Sequence, residues 1–181
     1  MGKFYFKKIL FQEGWKKNVK ISTDNNATIT EIIENFEGKD YETEVQLAIP
    51  GIPNAHSHAF QYAMAGLTEN HSESRSSNFW TWRNEMYNLA LNIDPDGLQA
   101  IATMLYSEML KNGYTSVAEF HYLHHDKNGS KYSNMGELGE RLLIAAKEVT
   151  REFLESISKP TPSSTACSAI LTCFSHSPRL R

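Results

Sequence analysis

Two histidines separated by a single residue are the pattern in this sequence that most directly suggests chemistry. His56 and His58 stand in the run PGIPNAHSH, and residues i and i+2 of a β-strand project from the same face. Zn²⁺ binds neutral imidazole nitrogen, and a catalytic zinc keeps one position open for water. We therefore predict that His56 and His58 are metal ligands. An HxH pair also arises by chance, however, and two histidines do not complete a catalytic zinc site.

The remaining histidines do not supply the missing ligands by spacing alone. His121 follows a predicted strand, and His124 and His125 lie in the loop after it. These three could be ligands, substrate contacts or solvated loop residues, and we favour the solvated loop for His124 and His125. His71 stands in the polar stretch ENHSESRSSN and is predicted to lie on the surface, and His176 is given no role.

The elements that must position these side chains alternate between strands and helices. The apolar patterns and the capping signals predict, in order, a strand at Val45–Ile49, a helix at Phe79–Asn92, a helix from Asp94 to Gly113, a strand at Thr115–Phe120 and a helix at Glu137–Leu154. Strands that alternate with helices are expected to be parallel. We expect the two strands to be adjacent, with His56 and His58 at their carboxyl ends. Two βα units cannot close a (β/α)8 barrel.

The two ends of the sequence differ in character from this middle part. Residues 4–34 contain three short strand-like runs separated by turn signals. Residues 156–181 contain no acidic residue, are rich in Ser, Thr and Pro, and show no clear apolar period. We predict a β-rich segment at residues 1–48, a partial barrel at 49–155 and a disordered tail at 156–181.

Composition excludes several classes of partner and compartment. The formal net charge is -3 and the isoelectric point is about 6.2, which argues against nucleic acid or an anionic membrane as a partner. Two cysteines, Cys167 and Cys173, do not make a disulfide framework. No signal-peptide core and no apolar run of membrane-spanning length is present in the sequence. These features favour a cytoplasmic location.

Three stretches carry a resemblance to a known family. PGIPNAHSHAFQYAMAGLTE, NFWTWRNEMYNLAL and LYSEMLKNGYTSVAEFHYLHHD resemble the formimidoylglutamate deiminases, a branch of the zinc-dependent amidohydrolase superfamily. The HxH element is shared across the superfamily, whereas FWTWR and VAEFHYLHHD are more specific to this branch. The likeness covers Ile49 to Val149 and is weaker before it. It implies an α/β fold: a small amino-terminal β unit followed by the first βα units of an incomplete (β/α)8 barrel.

The resemblance also implies roles for individual residues. His56 and His58 match two zinc ligands on the first barrel strand, and Gln61, Arg83 and Tyr122 match substrate-binding positions. An arginine suits a glutamate carboxylate because its fork makes two parallel hydrogen bonds. From the residues alone, Arg83 could instead form a salt bridge on a helix surface, Tyr122 could be packing, and Gln61 could be a solvated loop residue.

The reaction implied by the resemblance is hydrolytic loss of ammonia. A zinc-activated water would convert N-formimidoyl-L-glutamate to N-formyl-L-glutamate and ammonia, a step in histidine degradation. The family's other zinc ligands and its catalytic residues lie on later strands and have no counterpart here, so we assign no catalytic residue, Glu119 included.

We expect zinc binding to be weak or absent and the chain to be inactive as a truncated product, while full-length relatives are expected to be homo-oligomers. Two alternatives stay open: another amidohydrolase deaminase of the guanine or cytosine type, and a catalytically dead product. The aromatic start of the first helix, which includes Trp80, Trp82 and Met86, is predicted to be core or subunit contact.

Overall fold

The computed structural model describes residues 2–67 and 79–158, with side chains up to residue 152. The described residues cluster into two compact units, residues 2–51 and residues 52–158. Each unit has its own cluster of buried apolar side chains.

The first unit is a four-stranded sheet. Its strands are β1 (Gly2–Phe11), β2 (Gly14–Thr23), β3 (Ile29–Ile33) and β4 (Thr43–Val45), in the order β3-β2-β1-β4. β1 and β2 form an antiparallel hairpin, and Gly14 at its turn has a φ of +112°, a conformation that glycine adopts without steric cost. β2 and β3 are also antiparallel, whereas β4 pairs with β1 in parallel. The three strand-like runs predicted in residues 4–34 are therefore confirmed.

Six apolar side chains form the core of this sheet: Phe6, Ile9, Val19, Ile21, Val45 and Ala48. One charged residue of the same sheet is also buried, because Lys20 is only 6% exposed. Its Nζ lies 2.8 Å from Asp40, and that carboxylate also contacts Lys3 at 2.6 Å. The pair is formed at the surface, since Asp40 itself is largely exposed.

The second unit alternates strands and helices. Its elements are β5 (Ile52–Ser57), a short 3₁₀ helix (Ala59–Met64), α1 (Phe79–Ala90), α2 (Pro95–Lys111), β6 (Tyr114–Glu119) and α3 (Glu137–Ser158). β5 and β6 pair in parallel, while α2 packs against α3, the 3₁₀ helix and β6. The predicted helices, the second strand and the parallel pairing are confirmed.

The position predicted for the first of these parallel strands is wrong. The run Val45–Ile49 was expected to pair with the second strand, but Val45 pairs with Phe6 in the first unit. The strand that pairs with β6 is β5, which contains Pro53 and begins after Pro50. A proline removes a donor without preventing extended backbone, and an edge position tolerates it. The apolar run had indicated the earlier strand, whereas β5 begins at Ile52, directly after Gly51.

The predicted start and end of α2 are confirmed. Asp94 Oδ1 accepts a hydrogen bond of 2.8 Å from the Gly97 amide, and Pro95 occupies the first turn. At the other end Gly113 has a φ of +86°, which allows the chain to turn from the helix into β6. The buried residues of α2 are Leu98, Ala102, Tyr106 and Leu110, with Ile101, Leu105 and Met109 half-buried around the same core.

Several predictions concern parts of the chain outside the described residues. His71, Cys167, Cys173 and His176 lie there, as does most of the predicted tail, since α3 extends to Ser158. The division at residues 48 and 155 and the cytoplasmic location stay predictions. Within residues 2–67 and 79–158, no helix is long and apolar enough to cross a membrane.

Candidate metal site

The paired histidines lie at the carboxyl end of β5, with their rings directed toward each other. His56 is in the strand and His58 follows its last residue, Ser57. Their Nε2 atoms are 2.8 Å apart, and the rings meet edge to face with centroids separated by 4.6 Å. The Asn54 side chain accepts a hydrogen bond of 3.1 Å from the backbone amide of His56. The expected side-by-side placement of the two imidazoles is therefore present.

A backbone carbonyl fixes the protonation of one ring. His58 Nδ1 lies 2.9 Å from the carbonyl oxygen of Phe120, just beyond β6. A carbonyl only accepts hydrogen bonds, so Nδ1 carries a proton, and in the neutral ring this leaves the Nε2 lone pair of His58 free. The direction of the contact between the two Nε2 atoms depends on the tautomers of both rings. The neutral His58 tautomer is the one that can bind a metal through Nε2.

Two of the three predicted substrate-binding residues lie beside His58. Gln61, in the 3₁₀ helix, donates from Nε2 to the Tyr122 hydroxyl at 2.7 Å. The Tyr122 ring lies 5.4 Å from the His58 ring and 5.1 Å from that of Phe60. Both polar groups also contact the Met86 sulfur of α1, at 3.5 Å and 3.6 Å. Gln61 and Tyr122 are thus hydrogen-bonded to each other beside His58, and their role in substrate binding stays a prediction.

The third predicted substrate residue, Arg83, contacts its own helix. Its guanidinium lies 5.4 Å from the Trp80 ring and 5.1 Å from the Tyr87 ring, and it approaches the Tyr87 hydroxyl at 3.4 Å. Arg83 stands one helical turn before Met86, which contacts Gln61 and Tyr122. The structure does not bring Arg83 into the hydrogen-bonded cluster, although it places this side chain on the adjoining helix.

The aromatic start of α1 divides between core and surface. Met86 is buried and Trp82 packs against the core, as predicted. Phe79 and Trp80 are 63% and 61% exposed within this chain. The contact of Met86 with the polar pair was not predicted, and nothing in a methionine at helical spacing distinguishes it from ordinary core.

Glu119, at the end of β6, is engaged on both carboxylate oxygens. Oε1 accepts a hydrogen bond of 2.6 Å from the backbone amide of Ala59, and Oε2 lies 3.5 Å from the Tyr106 hydroxyl. Burial, and then the nearby carboxylate, raise the pKa of Tyr106, so its hydroxyl stays protonated and can donate. Glu119 shares this edge of the sheet with the paired histidines, because side chains at the carboxyl ends of parallel strands lie together there.

The histidines after β6 are arranged differently from the first pair. The His121 ring lies 5.2 Å from that of His124, and its Nε2 is buried with no hydrogen-bond partner among the described residues. Burial, and then the neighbouring His124, lower the pKa of His121. His124 and His125 are exposed, in agreement with their prediction as solvated loop residues.

The geometry of His56 and His58 fits two ligands of one metal ion. Imidazole nitrogens that share a tetrahedral zinc at about 2.0–2.1 Å lie about 3.3 Å from each other. The observed distance between the two Nε2 atoms is 2.8 Å, a hydrogen-bond length that is about half an ångström shorter than the zinc-bound separation. Both rings lie at the carboxyl end of β5. Within the described part of the chain, no three His, Cys, Asp or Glu side chains are grouped for a metal. These residues therefore offer two ligands and not a complete set.

Comparison with known proteins identifies relatives of this chain. Residues 47–166 match the model of the amidohydrolase family. A formimidoylglutamate deiminase from Pseudomonas aeruginosa is 42% identical over 146 residues, which cover 81% of this chain and 32% of the relative. The chain thus spans about a third of the length of the curated relative that it matches.

Solved structures share the same fold. An amidohydrolase from Brucella melitensis superposes with a TM-score of 0.75 at 38% identity, covering 82% of this chain and 33% of that one. An atrazine chlorohydrolase mutant from Arthrobacter aurescens, solved in complex with zinc and atraton, gives a TM-score of 0.61 at 17% identity, covering 82% and 33%. The predicted α/β fold, with a β unit followed by the first part of a barrel, is confirmed by these matches.

Proposed function

This chain belongs to the amidohydrolase family, and on that premise we propose that it carries the first two zinc ligands and part of the substrate site of a formimidoylglutamate deiminase. The observation that supports this most directly is the contact between His56 and His58. Their Nε2 atoms are 2.8 Å apart, and the Phe120 carbonyl holds His58 in the tautomer whose Nε2 is unprotonated. Zinc held there would supply Lewis acidity for hydrolysis of a carbon–nitrogen bond.

His58 is the better defined of the two proposed ligands. With the proton on Nδ1, a neutral His58 presents its Nε2 lone pair to a metal. His56 would bind the same ion through Nε2 only in the tautomer that carries its proton on Nδ1.

Gln61 and Tyr122 are proposed to orient the substrate next to the metal. Their hydrogen bond of 2.7 Å joins the 3₁₀ helix to the segment after β6, and Tyr122 contacts the His58 ring. An amide and a phenol together offer donors and an acceptor, which suits the polar groups of an amino-acid derivative. A glutamate carboxylate would need a cation nearby, and Arg83 lies one turn from the methionine that contacts both residues.

The substrate that these residues favour is N-formimidoyl-L-glutamate, converted to N-formyl-L-glutamate with loss of ammonia. The 42% identity to the Pseudomonas aeruginosa deiminase supports this substrate. A guanine- or cytosine-type deaminase is the alternative, and it needs no arginine for a linear dicarboxylate.

The catalytic competence of the 181 residues is a separate matter from lineage. Two imidazoles fill half of a tetrahedral zinc shell, and a catalytic site needs a third protein ligand. We propose that this chain alone binds zinc weakly and does not turn over substrate. Purified chain saturated with zinc should release no ammonia from N-formimidoyl-L-glutamate, and turnover at an ordinary enzymatic rate would contradict this part of the proposal.

A chimaera tests the lineage directly. The matching 146-residue stretch of this chain replaces its counterpart in the Pseudomonas aeruginosa deiminase, and ammonia release is measured with N-formimidoyl-L-glutamate, guanine and cytosine. We expect activity on the first substrate only, and its loss with His58→Ala. A soluble, zinc-loaded chimaera that acts on a nucleobase instead would overturn the proposed substrate.

A further inference from the structure

The turn that contains His58 is tied to the end of β6 by three hydrogen bonds. The Phe120 amide donates to the Ser57 carbonyl at 2.9 Å, and His58 Nδ1 donates to the Phe120 carbonyl at 2.9 Å. The third runs from the Ala59 amide to Glu119 Oε1 at 2.6 Å. The first two use the backbone of residue 120, whatever its side chain is. Only the third depends on a particular side chain of β6.

The Ala59 amide needs an acceptor because of where it lies. Ala59 is the first residue of the 3₁₀ helix, and the first amides of a helix have no carbonyl partner within it. It is fully buried, so water cannot supply the missing acceptor. The side chain of the residue that precedes a helix caps its second or third amide and does not serve the first. Here that residue is His58, and its side chain makes no capping bond.

His58 cannot cap the helix because its ring is already engaged. Nδ1 is bound to the Phe120 carbonyl and Nε2 faces His56. Glu119 supplies the missing acceptor for the Ala59 amide from across the strand pair. Its other oxygen faces the hydroxyl of Tyr106 at 3.5 Å, which leaves the carboxylate anchored at both ends.

We propose that Glu119 is a positioning residue for the metal site, holding the backbone on the carboxyl side of His58 so that the Nε2 lone pair stays directed toward His56. This inference rests on the zinc site proposed above. It assigns Glu119 neither a ligand role nor proton transfer, since both of its oxygens are used within the protein. Outer-shell groups that orient a ligating imidazole typically change metal affinity about 10–100-fold when they are removed.

Zinc affinity of the full 181-residue chain, measured by competition with a chromophoric chelator, tests the proposal. We expect Glu119→Ala to bind zinc at least about tenfold more weakly than the unsubstituted chain. Glu119→Gln keeps an acceptor oxygen at the same reach and should bind within about threefold of it. Tyr106→Phe removes the other partner of the carboxylate and leaves the Ala59 contact in place, so it serves as the matched control and should bind normally.

A spectroscopic readout separates positioning from general destabilisation. Nitrogen-15 shifts of the histidine rings report tautomers, and His58 should show a single Nδ1–H form in the unsubstituted chain. In Glu119→Ala we expect a mixture of tautomers at His58, with the signals of the loop residue His125 unchanged. Zinc affinities are compared only between variants whose circular dichroism shows the same helix content.

Each outcome decides the matter. If Glu119→Ala binds zinc like the unsubstituted chain while His58→Ala does not bind, this inference fails and the metal site stands. If His58→Ala has no effect on zinc affinity, both proposals fail. Should Glu119→Ala not fold, Glu119→Asp replaces it, because the shorter side chain keeps the charge and loses the reach. If Glu119→Asp binds zinc as weakly as expected for Glu119→Ala while Glu119→Gln binds normally, positioning is supported. Normal binding by Glu119→Asp together with weak binding by Glu119→Gln overturns it.

Discussion

The two units of this protein use the same kind of element, the β-strand, in different ways. In residues 2–51 the strands form a sheet of four in which β1, β2 and β3 are antiparallel neighbours joined by short connections, and β4 alone runs parallel to its neighbour β1. In residues 52–158 the two strands are parallel and are separated in sequence by a 3₁₀ helix and two longer helices. Antiparallel neighbours can be stabilised by a hairpin, whereas parallel ones depend on packing between distant segments. The candidate site lies at the ends of the second kind of strand.

The largest effects should come from substitutions in the two cores, and each substitution should destabilise only the unit that contains it. Leu98 is fully buried in the core of residues 52–158, and we expect Leu98→Ala to lower the free energy of unfolding by about 2–5 kcal/mol. Ile21→Ala should have a comparable effect on the other core. Residue-resolved hydrogen exchange in urea measures both. Protection should fall only in the unit that carries the substitution, and an equal loss in both units would show that the chain unfolds as one.

The next largest effect concerns the metal, which should stabilise only the unit that contains the histidines. We expect His58→Ala to lower zinc affinity at least about tenfold, since it removes one of two ligands. His125→Ala is the matched control because that ring lies exposed in the loop after β6. Hydrogen exchange with and without zinc should change in residues 52–158 and not in the β unit. Equal zinc binding by both variants would place the metal elsewhere.

A single helix cap should have a smaller effect, again in one unit. The Asp94 side chain accepts a hydrogen bond from the Gly97 amide at the start of α2. Asp94→Ala should therefore lower the free energy of unfolding by about 1 kcal/mol. Asp94→Asn retains a capping oxygen and should recover most of that loss. Urea denaturation followed by helix circular dichroism gives both values. If Asn is no better than Ala, the ion pair with Lys127 contributes more than the cap.

The smallest effects are on the pH dependence of stability, and they should appear in different pH ranges for the two units. His121 has its pKa lowered in the folded protein, by burial first, so the unfolded chain binds its proton at higher pH. Stability of residues 52–158 should therefore begin to fall as the pH drops below 6.5, the ordinary histidine value. Hydrogen bonds from Lys20 and Lys3 lower the pKa of Asp40 to about 2.

The contribution of Asp40 is present above pH 3.8 and is lost as the pH falls toward about 2. It should be small because that carboxylate is exposed. Thermal melts at pH 7, 5 and 3, followed by signals from each unit, test the order. His121→Gln should remove the loss between pH 7 and 5, whereas Asp40→Asn should not. A loss of stability in the β unit already between pH 7 and 5 would contradict the order expected here.

The sequence allowed much of this comparison to be predicted, and the exceptions have physical causes. The period of two in a strand was enough to place His56 and His58 on one face, and the Asp94-Pro95 signal located α2. The position of the first barrel strand was missed because the apolar run Val45–Ile49 was taken as that strand, although an edge strand accommodates Pro53.

The contacts that fix His58 could not be predicted from sequence patterns. The carbonyl of Phe120 and the carboxylate of Glu119 reach it only because β5 and β6 pair in one particular register. Those strands are about 60 residues apart in sequence, and no local pattern encodes which residue faces which. Gln61 and Tyr122 were indicated by family resemblance alone, and their mutual hydrogen bond is a result of the same pairing.

The carbonyl that fixes the His58 tautomer belongs to the backbone, and this has a consequence for how the site tolerates change over evolutionary time. Every amino acid at position 120 provides that oxygen, so drift in the side chain there leaves the proton on Nδ1. A slip of β6 against β5 by one residue would disturb the site instead, because the oxygen would then face away. The nitrogen of His58 that can meet a metal is thus set by the register of two strands and not by the side chain at position 120.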